Sequence, residues 1–297
     1  MTDPRPIVVG YDGSDHAAAA LDWAAAEAAR RQAPLHVVYA ADYPGLVPGP
    51  VGGSPWLPER AVEAANEIPR GGGVRARGRA PQLEVTHRTD VGSAAGALVD
   101  EAEGAALLVV GTRGHGGLAG ALLGSVAFAV SGHAPCPVVV VRGDSSTVPG
   151  PDRPVVAGVD GSRAAEAALH FAARTAAEAS APLVLVGAWH PPAGETWEAA
   201  YWGTMARGGE LGAAAERATL DVLDRAREAV RTEHPSLEVH AEAVGGPAGH
   251  ALADASKGAG MVVVGARGRG GFTGLLLGSV SHDVIHRASC PVAVVRG

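Results

Sequence analysis

Short runs of β-branched apolar residues alternate along the chain with longer alanine-rich stretches. Runs such as Ile7–Tyr11 and Leu107–Gly111 are apolar almost throughout, as strands covered on both faces are. The alanine-rich stretches have the length of helices, and one follows the good capping sequence Asp12-Gly13-Ser14. This alternation predicts an α/β fold in which a parallel sheet carries helices on both faces.

The whole pattern occurs twice. The segment Ile7–Val38 matches Val155–Val186, and HAPCPVVVVRG matches RASCPVAVVRG at the end of the chain. A polar, proline-bearing segment, Asp144–Pro154, lies between the copies and has the composition of a linker. The sequence therefore predicts two tandem doubly wound domains, residues 1–146 and 152–297, each with a five-stranded parallel sheet of order 3-2-1-4-5. We expect the strands near Ile7–Tyr11, Leu35–Ala40, Leu83–Arg88, Leu107–Gly111 and Val138–Arg142 in the first copy, and near Val155–Val159, Leu183–Ala188, Leu237–Ala243, Met261–Gly265 and Val292–Arg296 in the second.

One region of the first copy departs from the repeat. Pro44–Pro81 is rich in glycine and proline, whereas the second copy has the helical sequence ELGAAAERATLDVLDRAREAV at that place. Only Glu59–Ile68 has helical character there, which predicts that the second helix of the first copy is short or disordered. Four arginines of this region are expected to lie in a solvated loop: Arg70, Arg75, Arg77 and Arg79.

Composition and charge exclude several classes of protein. The 297-residue chain is 47% hydrophobic and 19% charged, as globular proteins are. Its net charge of −7 argues against binding to duplex nucleic acid, so small molecules or proteins are the expected partners. No cleavable leader and no apolar run of membrane-spanning length are evident, and we expect a cytoplasmic protein with no membrane segment. The two cysteines, Cys136 and Cys290, are expected to be buried apolar residues.

A glycine-rich loop follows the fourth predicted strand of each copy. It reads GTRGHGGLAGALLGS from Gly111 to Ser125, and GARGRGGFTGLLLGS from Gly265 to Ser279. Both loops have the spacing Gly-x2-Gly-x9-Gly-Ser. A glycine-rich turn that enters a helix presents backbone N–H groups to an anion, with the helix dipole behind them. The loop therefore predicts a phosphate ligand in each copy.

Three better-known motifs do not fit. A P-loop requires a Gly-Lys-Ser/Thr sequence, but the only lysine, Lys257, precedes a strand. Gly114–Ala119 imitates the dinucleotide fingerprint, yet it follows a fourth strand, and the next acid, Asp144, lies beyond the following strand. No G-x-S-x-G nucleophile elbow is present.

The predicted topology brings a carboxylate to each loop. In a sheet of order 3-2-1-4-5 the ligand lies beyond the carboxyl ends of strands one and four, which places Asp12 opposite Gly111 and Asp160 opposite Gly265. A carboxylate there can accept hydrogen bonds from ribose hydroxyls or a base amine while the loop holds phosphates. A nucleotide is the predicted ligand, although Asp-Gly-Ser is also good turn and capping chemistry.

These motifs together resemble the universal stress protein family. Asp-Gly-Ser after the first strand, Gly-x2-Gly-x9-Gly-Ser after the fourth and A-x-C-P-V before the fifth carry the resemblance, which is closest to tandem-domain members and covers the chain outside Pro44–Pro81. It implies bound ATP, with Mg²⁺ or Mn²⁺ bridging the phosphates, and a homodimer formed commonly through the fifth strands. It implies ligand contacts from Asp12, Ala40, Val110, Gly111, Gly114, Gly124, Ser125 and Val126 in the first copy, and from Asp160, Ala188, Val264, Gly265, Gly268, Gly278, Ser279 and Val280 in the second.

The expected function is an ATP-binding stress-response regulator whose nucleotide changes its affinity for an unidentified protein partner. A slow ATPase or an adenylyl-transferring enzyme on the same fold is the alternative, although no catalytic base is identified. In a third hypothesis the protein is a structural stress protein whose glycine loops only pack and bind no ligand.

Four cationic side chains of the loops are either phosphate contacts or solvated: Arg113, Arg267, His115 and Arg269. His282 and His286 are four residues apart, but no third metal ligand is evident, so a surface role is expected.

Overall fold

A computed structural model describes residues 5–41, 59–114, 123–142, 147–190, 208–269 and 276–297. The chain divides into two compact units, Met1–Val148 and Pro149–Gly297. Each unit is a parallel α/β sheet, so the predicted fold class is confirmed.

In the first unit, β1 (Ile7–Gly10) is the central strand and pairs in parallel with its neighbours, giving the predicted order 3-2-1-4-5. Helices one and two pack together, as do helices three and four, and these two pairs cover the sheet. The elements are β1 (Ile7–Gly10), α1 (Asp15–Arg31), β2 (Leu35–Ala41), α2 (Glu59–Arg79), β3 (Val85–Val91), α3 (Ala94–Glu101), β4 (Leu107–Gly111), α4 (Ser125–His133) and β5 (Val138–Val141).

The second unit repeats this architecture. Its strands pair in parallel in the corresponding order, with β6 (Val155–Gly158) in the central position. The elements are β6 (Val155–Gly158), α5 (Arg163–Ala179), β7 (Leu183–Trp189), α6 (Gly208–Glu233), β8 (Val239–Gly245), α7 (Ala248–Ala255), β9 (Met261–Gly265), α8 (Ser279–Arg287) and β10 (Val292–Val295).

The first helix of each unit begins as its capping sequence predicts. The hydroxyl oxygen of Ser14 accepts a hydrogen bond from the Ala17 N–H at 3.3 Å, and that of Ser162 accepts one from Ala165 at 3.2 Å. Such caps satisfy an N–H group that has no partner within the helix. They fix α1 and α5 immediately after the two aspartates predicted to bind ligand.

The second helix of the first unit is longer than predicted. It runs without interruption from Glu59 to Arg79 and includes Pro69. A Cβ atom at Gly72 would lie 2.8 Å from Cδ1 of Tyr11 and 3.1 Å from Cγ1 of Val37, so this glycine lets the helix lie directly against the sheet. The prediction of a short or disordered helix was wrong because packing on the sheet outweighs the low helix propensity of the glycines.

The arginines of this helix also differ from the prediction of a solvated loop. Two of them hold Asp22 on α1: Arg75 donates at 2.7 and 2.9 Å, and Arg79 donates at 2.6 Å. Arg77 donates to the carbonyl oxygen of Val85 at 2.8 Å. These bonds fasten α2 to α1 and to the start of β3. The fourth arginine, Arg70, pairs at 3.2 Å with Glu67 on the same helix.

Both cysteines are buried and free, as expected from the sequence. Burial raises the pKa of Cys136 to about 11 and that of Cys290 to about 12, so both are thiols at neutral pH.

Of the predicted linker, the part from residue 147 onward is described, and Gly150 and Arg153 pair there in a short antiparallel bridge. None of the helices in the described ranges is long and apolar enough to cross a membrane.

Candidate functional site

In the second unit, the carboxylate of Asp160 joins the end of the central strand to the glycine loop. Its Oδ1 accepts the Ser162 N–H at 2.9 Å, which stabilises the turn into α5. Its Oδ2 accepts the backbone N–H of Arg269 at 3.0 Å. Asp160 therefore lies against the loop that follows β9, as the topology predicted, and it has the capping role as well.

Two of the three loop glycines allow the backbone to approach at this point. A Cβ atom on Gly265 would lie 2.8 Å from the carbonyl carbon of Ala164, and one on Gly268 would lie 2.6 Å from Oδ2 of Asp160. Atoms do not approach that closely without displacement, so a side chain would push the loop away from the carboxylate. The N–H of the third glycine, Gly278, donates to the Ala266 carbonyl oxygen at 2.8 Å and closes the base of the loop.

The loop ends at the start of α8, where backbone donors are available. Gly278 is the N-cap residue and supplies no side-chain hydrogen bond. The N–H groups of the first turn have no acceptor within a helix, and the helix dipole favours an anion beside them. The Ser281 hydroxyl lies 3.1 Å from the Ala266 carbonyl oxygen and 2.9 Å from that of Gly278, which fixes this helix end against the strand.

A cavity of about 500 Å³ opens between these groups. Its volume lies within the range of small-molecule and cofactor sites. The exposed side chains of Arg267 and Arg269 line it and bring positive charge to its loop side. The structure brings all the residues predicted for the second site to this one cavity: Asp160, Ala188, Val264, Gly265, Gly268, Gly278, Ser279 and Val280.

The sequence prediction missed the apolar wall of the cavity. Val186 on β7 and Ala248 and Leu252 on α7 line it. A Cβ atom on Gly158 would lie 3.0 Å from Cδ1 of Leu252, so the strand and this leucine are in close contact. The first unit places Leu98 against Gly10 in the same way, with a corresponding distance of 2.9 Å.

The first unit has the same arrangement around Asp12. Oδ1 of this residue accepts the N–H and the O–H of Ser14, at 3.0 and 2.6 Å. A Cβ atom on Gly114 would collide with Oδ2 of Asp12, and one on Gly111 would lie 2.6 Å from the carbonyl oxygen of His16. The carboxylate and the glycine loop are therefore in direct contact in this unit too.

The remaining predicted residues of the first unit lie at the same end of the sheet. The Gly124 N–H donates to the Thr112 carbonyl oxygen at 2.7 Å, and α4 begins at the next residue without a side-chain cap. Ser125 and Val126 are thus the first residues of α4, while Val110 and Ala40 lie near the ends of β4 and β2. Residues 115–122 of this loop, with His115, lie outside the described residues.

The described residues contain no group of three or more His, Cys, Asp or Glu side chains that could hold a metal ion. The site as described therefore consists of backbone donors, one carboxylate, hydroxyl groups and two arginines beside an apolar wall. Together these groups can bind an anion at one end and an apolar ring at the other.

Comparison with known proteins identifies the family. The model of the universal stress protein family matches residues 4–142 and 153–296. A universal stress protein of Mycolicibacterium smegmatis is 34% identical over 305 residues, covering 98% of this chain and 96% of that protein. One of Mycobacterium tuberculosis is 33% identical over 299 residues, with the same two coverages of 98% and 96%. The crystal structure of a universal stress protein from Archaeoglobus fulgidus has the same fold, with a TM-score of 0.67, 20% identity and coverage of 98% of this chain and 96% of that chain. The chain belongs to the universal stress protein family and carries two of its domains in tandem.

Proposed function

We propose that each unit binds one ATP molecule and that the protein is a nucleotide-responsive regulator of the stress response. The observation that carries this proposal is the meeting of a carboxylate, a glycine-rich loop and an uncapped helix end at one cavity. We further propose that the protein acts in the cytoplasm, that it forms the homodimer implied by the family resemblance, and that a protein partner reads its nucleotide state. We expect any ATP hydrolysis to be slow.

The groups of the second unit suit the three parts of ATP. The apolar wall of Val186 and Leu252 would cover the adenine ring, and Asp160 would accept hydrogen bonds from the ribose hydroxyls. The first turn of α8, with the exposed Ser279 hydroxyl, would donate to phosphate oxygens. Arg267 would add a charge-assisted contact from the loop.

The proposed ligand requires glycine at these loop positions, and so does the packing of the loop itself. The space beside Asp160 is so narrow that no Cβ atom fits at Gly268, and the same holds for Gly114 beside Asp12. A backbone without side chains can approach a phosphate chain closely. Mg²⁺ or Mn²⁺ would bridge oxygens of neighbouring phosphates, since Mg²⁺ is commonly held by substrate phosphates and water.

The nucleotide content of freshly purified protein tests the proposal. We expect about two ATP per chain on denaturation, one for each repeat. Asp12→Asn and Asp160→Asn should each reduce this to about one, because the amide keeps one oxygen for the capping bond and replaces the other by an NH2 group, which cannot accept a hydrogen bond from ribose. Asp152→Asn, which changes an exposed residue outside the cavity lining, is the matched control and should retain the full content. Protein that releases no nucleotide and does not bind added ATP would show that the loops only pack.

A further inference from the structure

His282 and His286 form a close pair on α8 that the nucleotide site does not use. Their Nε2 atoms lie 3.1 Å apart. The ring centroids are 4.2 Å apart and the ring planes are inclined at 59°. One Nε2 donates to the other, so the two imidazoles share a single proton between two nitrogens that face each other.

We propose that this pair is a chelating site for a divalent transition-metal ion of the Ni²⁺, Cu²⁺ or Zn²⁺ class. Metal–nitrogen bonds to histidine are about 2.0–2.1 Å long, so two imidazoles at 90–110° around one ion have nitrogens about 2.9–3.4 Å apart. The observed separation of 3.1 Å lies within that interval. The ion takes the place of the shared proton, and neutral imidazole is a preferred ligand of these metals.

The helix holds the two nitrogens at this spacing. Residues four apart lie on one face of a helix. The helix α8 is anchored in the second unit by Val284 and Ile285, whose exposed fractions are 0% and 1%. Asp283 is engaged by Arg287 at 2.5 Å, so the neighbouring carboxylate and guanidinium neutralise each other. The helix is thus held in place, and the two Nε2 atoms already face each other at 3.1 Å before an ion binds.

The pair belongs to the second unit alone. The corresponding positions on α4 of the first unit are Phe128 and Gly132, so the duplicated nucleotide motif does not require histidines there. The sequence offered no third protein ligand, but this site needs only two, because water fills the remaining positions of an exposed ion. The proposed metal site therefore belongs to one unit, and the argument for it does not rest on ATP binding.

Calorimetric titration of the tag-free, full-length protein with Ni²⁺ at about pH 7.5, where histidine is mostly neutral, tests the proposal. We expect one ion per chain at the strongest site. His282→Ala or His286→Ala should weaken this binding by at least about tenfold, since the second bond of a chelate forms at high effective concentration. His250→Ala is the matched control, because it removes an exposed histidine from α7 and should leave the affinity unchanged. Circular dichroism establishes that the variants are folded.

The chain has 12 histidines, so a second readout must locate the ion. Side-chain ¹⁵N spectra of the histidines with Zn²⁺ should show the Nε2 signals of His282 and His286 shifting together at the lowest metal concentration. The proposal is overturned if folded variants bind Ni²⁺ as tightly as the parent chain, or if only one of the two imidazoles responds to Zn²⁺.

Discussion

At the scale of single residues, Glu27 carries the most heavily buried charge among the described side chains. Its exposed fraction is 0%. Arg30 donates to its two oxygens at 2.9 and 2.7 Å, and Arg31 donates at 2.6 Å. Burial alone raises the pKa of Glu27, but the hydrogen bonds and charges of the two arginines outweigh burial and leave the pKa below its ordinary value of 4.5. Thr175 occupies this place in the second unit, so the buried charge is a property of the first.

Glu27→Gln should destabilise the first unit by about 2–4 kcal/mol at pH 7, because it leaves two partly buried guanidinium groups without their anion. The folded pKa lies below the unfolded one, so the carboxylate contributes its stability above about pH 4.5 and loses it as the pH falls through the folded pKa. Urea unfolding at pH 7 and at about pH 3 should therefore show a smaller difference between parent and variant at the lower pH. Glu67→Gln removes an exposed pair with Arg70 and should change stability by less than about 1 kcal/mol. An equal effect of Glu27→Gln at both pH values would contradict this account.

At the scale of elements, the long helix α2 allows one substitution to be compared in two environments. Gly72 faces Tyr11 and Val37 so closely that a Cβ atom does not fit, whereas a Cβ atom on Gly78 would meet nothing within 4 Å. Alanine has the higher helix propensity by about 1 kcal/mol at either position. Gly78→Ala should therefore stabilise the first unit by about 0.5–1 kcal/mol, while Gly72→Ala should destabilise it by about 1–2 kcal/mol through overpacking. Thermal unfolding followed by circular dichroism checks both, and stabilisation by Gly72→Ala would show that the helix is not held against the sheet.

The same helix shows where sequence-based prediction reaches its limit. Strands β3 and β8 have only one buried residue each, and each begins two residues later than predicted. The other strands could be predicted because they are short apolar runs buried in the sheet. The extent of α2 could not, because it depends on Tyr11, Val37 and Asp22, which are distant in sequence. The contact of Asp160 with its loop followed from the repeat and the strand order. The apolar wall at Leu252 was missed because it carries no polar signature and resembles any other core leucine.

At the scale of the whole molecule, the two units share the groups predicted to bind ligand and differ in the charge of their glycine loops. The second loop carries Arg267 and Arg269, whereas the first carries Arg113 and His115 at the same positions. Histidine is mostly neutral at about pH 8, so the second loop then has one more positive charge. The carboxylate, the glycine spacing and the uncapped helix end are common to both units. Any difference in phosphate affinity should therefore come mainly from the loop cations.

We accordingly expect the second site to bind ATP more tightly than the first, by about threefold to tenfold at low salt, which corresponds to an exposed charge contact of about 1 kcal/mol. The chain carrying Asp12→Asn reports the second site, and the chain carrying Asp160→Asn reports the first. Titration of both with ATP at about pH 8, in about 50 mM and 500 mM NaCl, should show the difference shrinking as salt screens the exposed arginines. Arg269→His makes the second loop match the first at this position and should bring the two affinities together. If the two sites keep unequal affinities in that variant, the difference lies in the cavity walls and not in the loop charge.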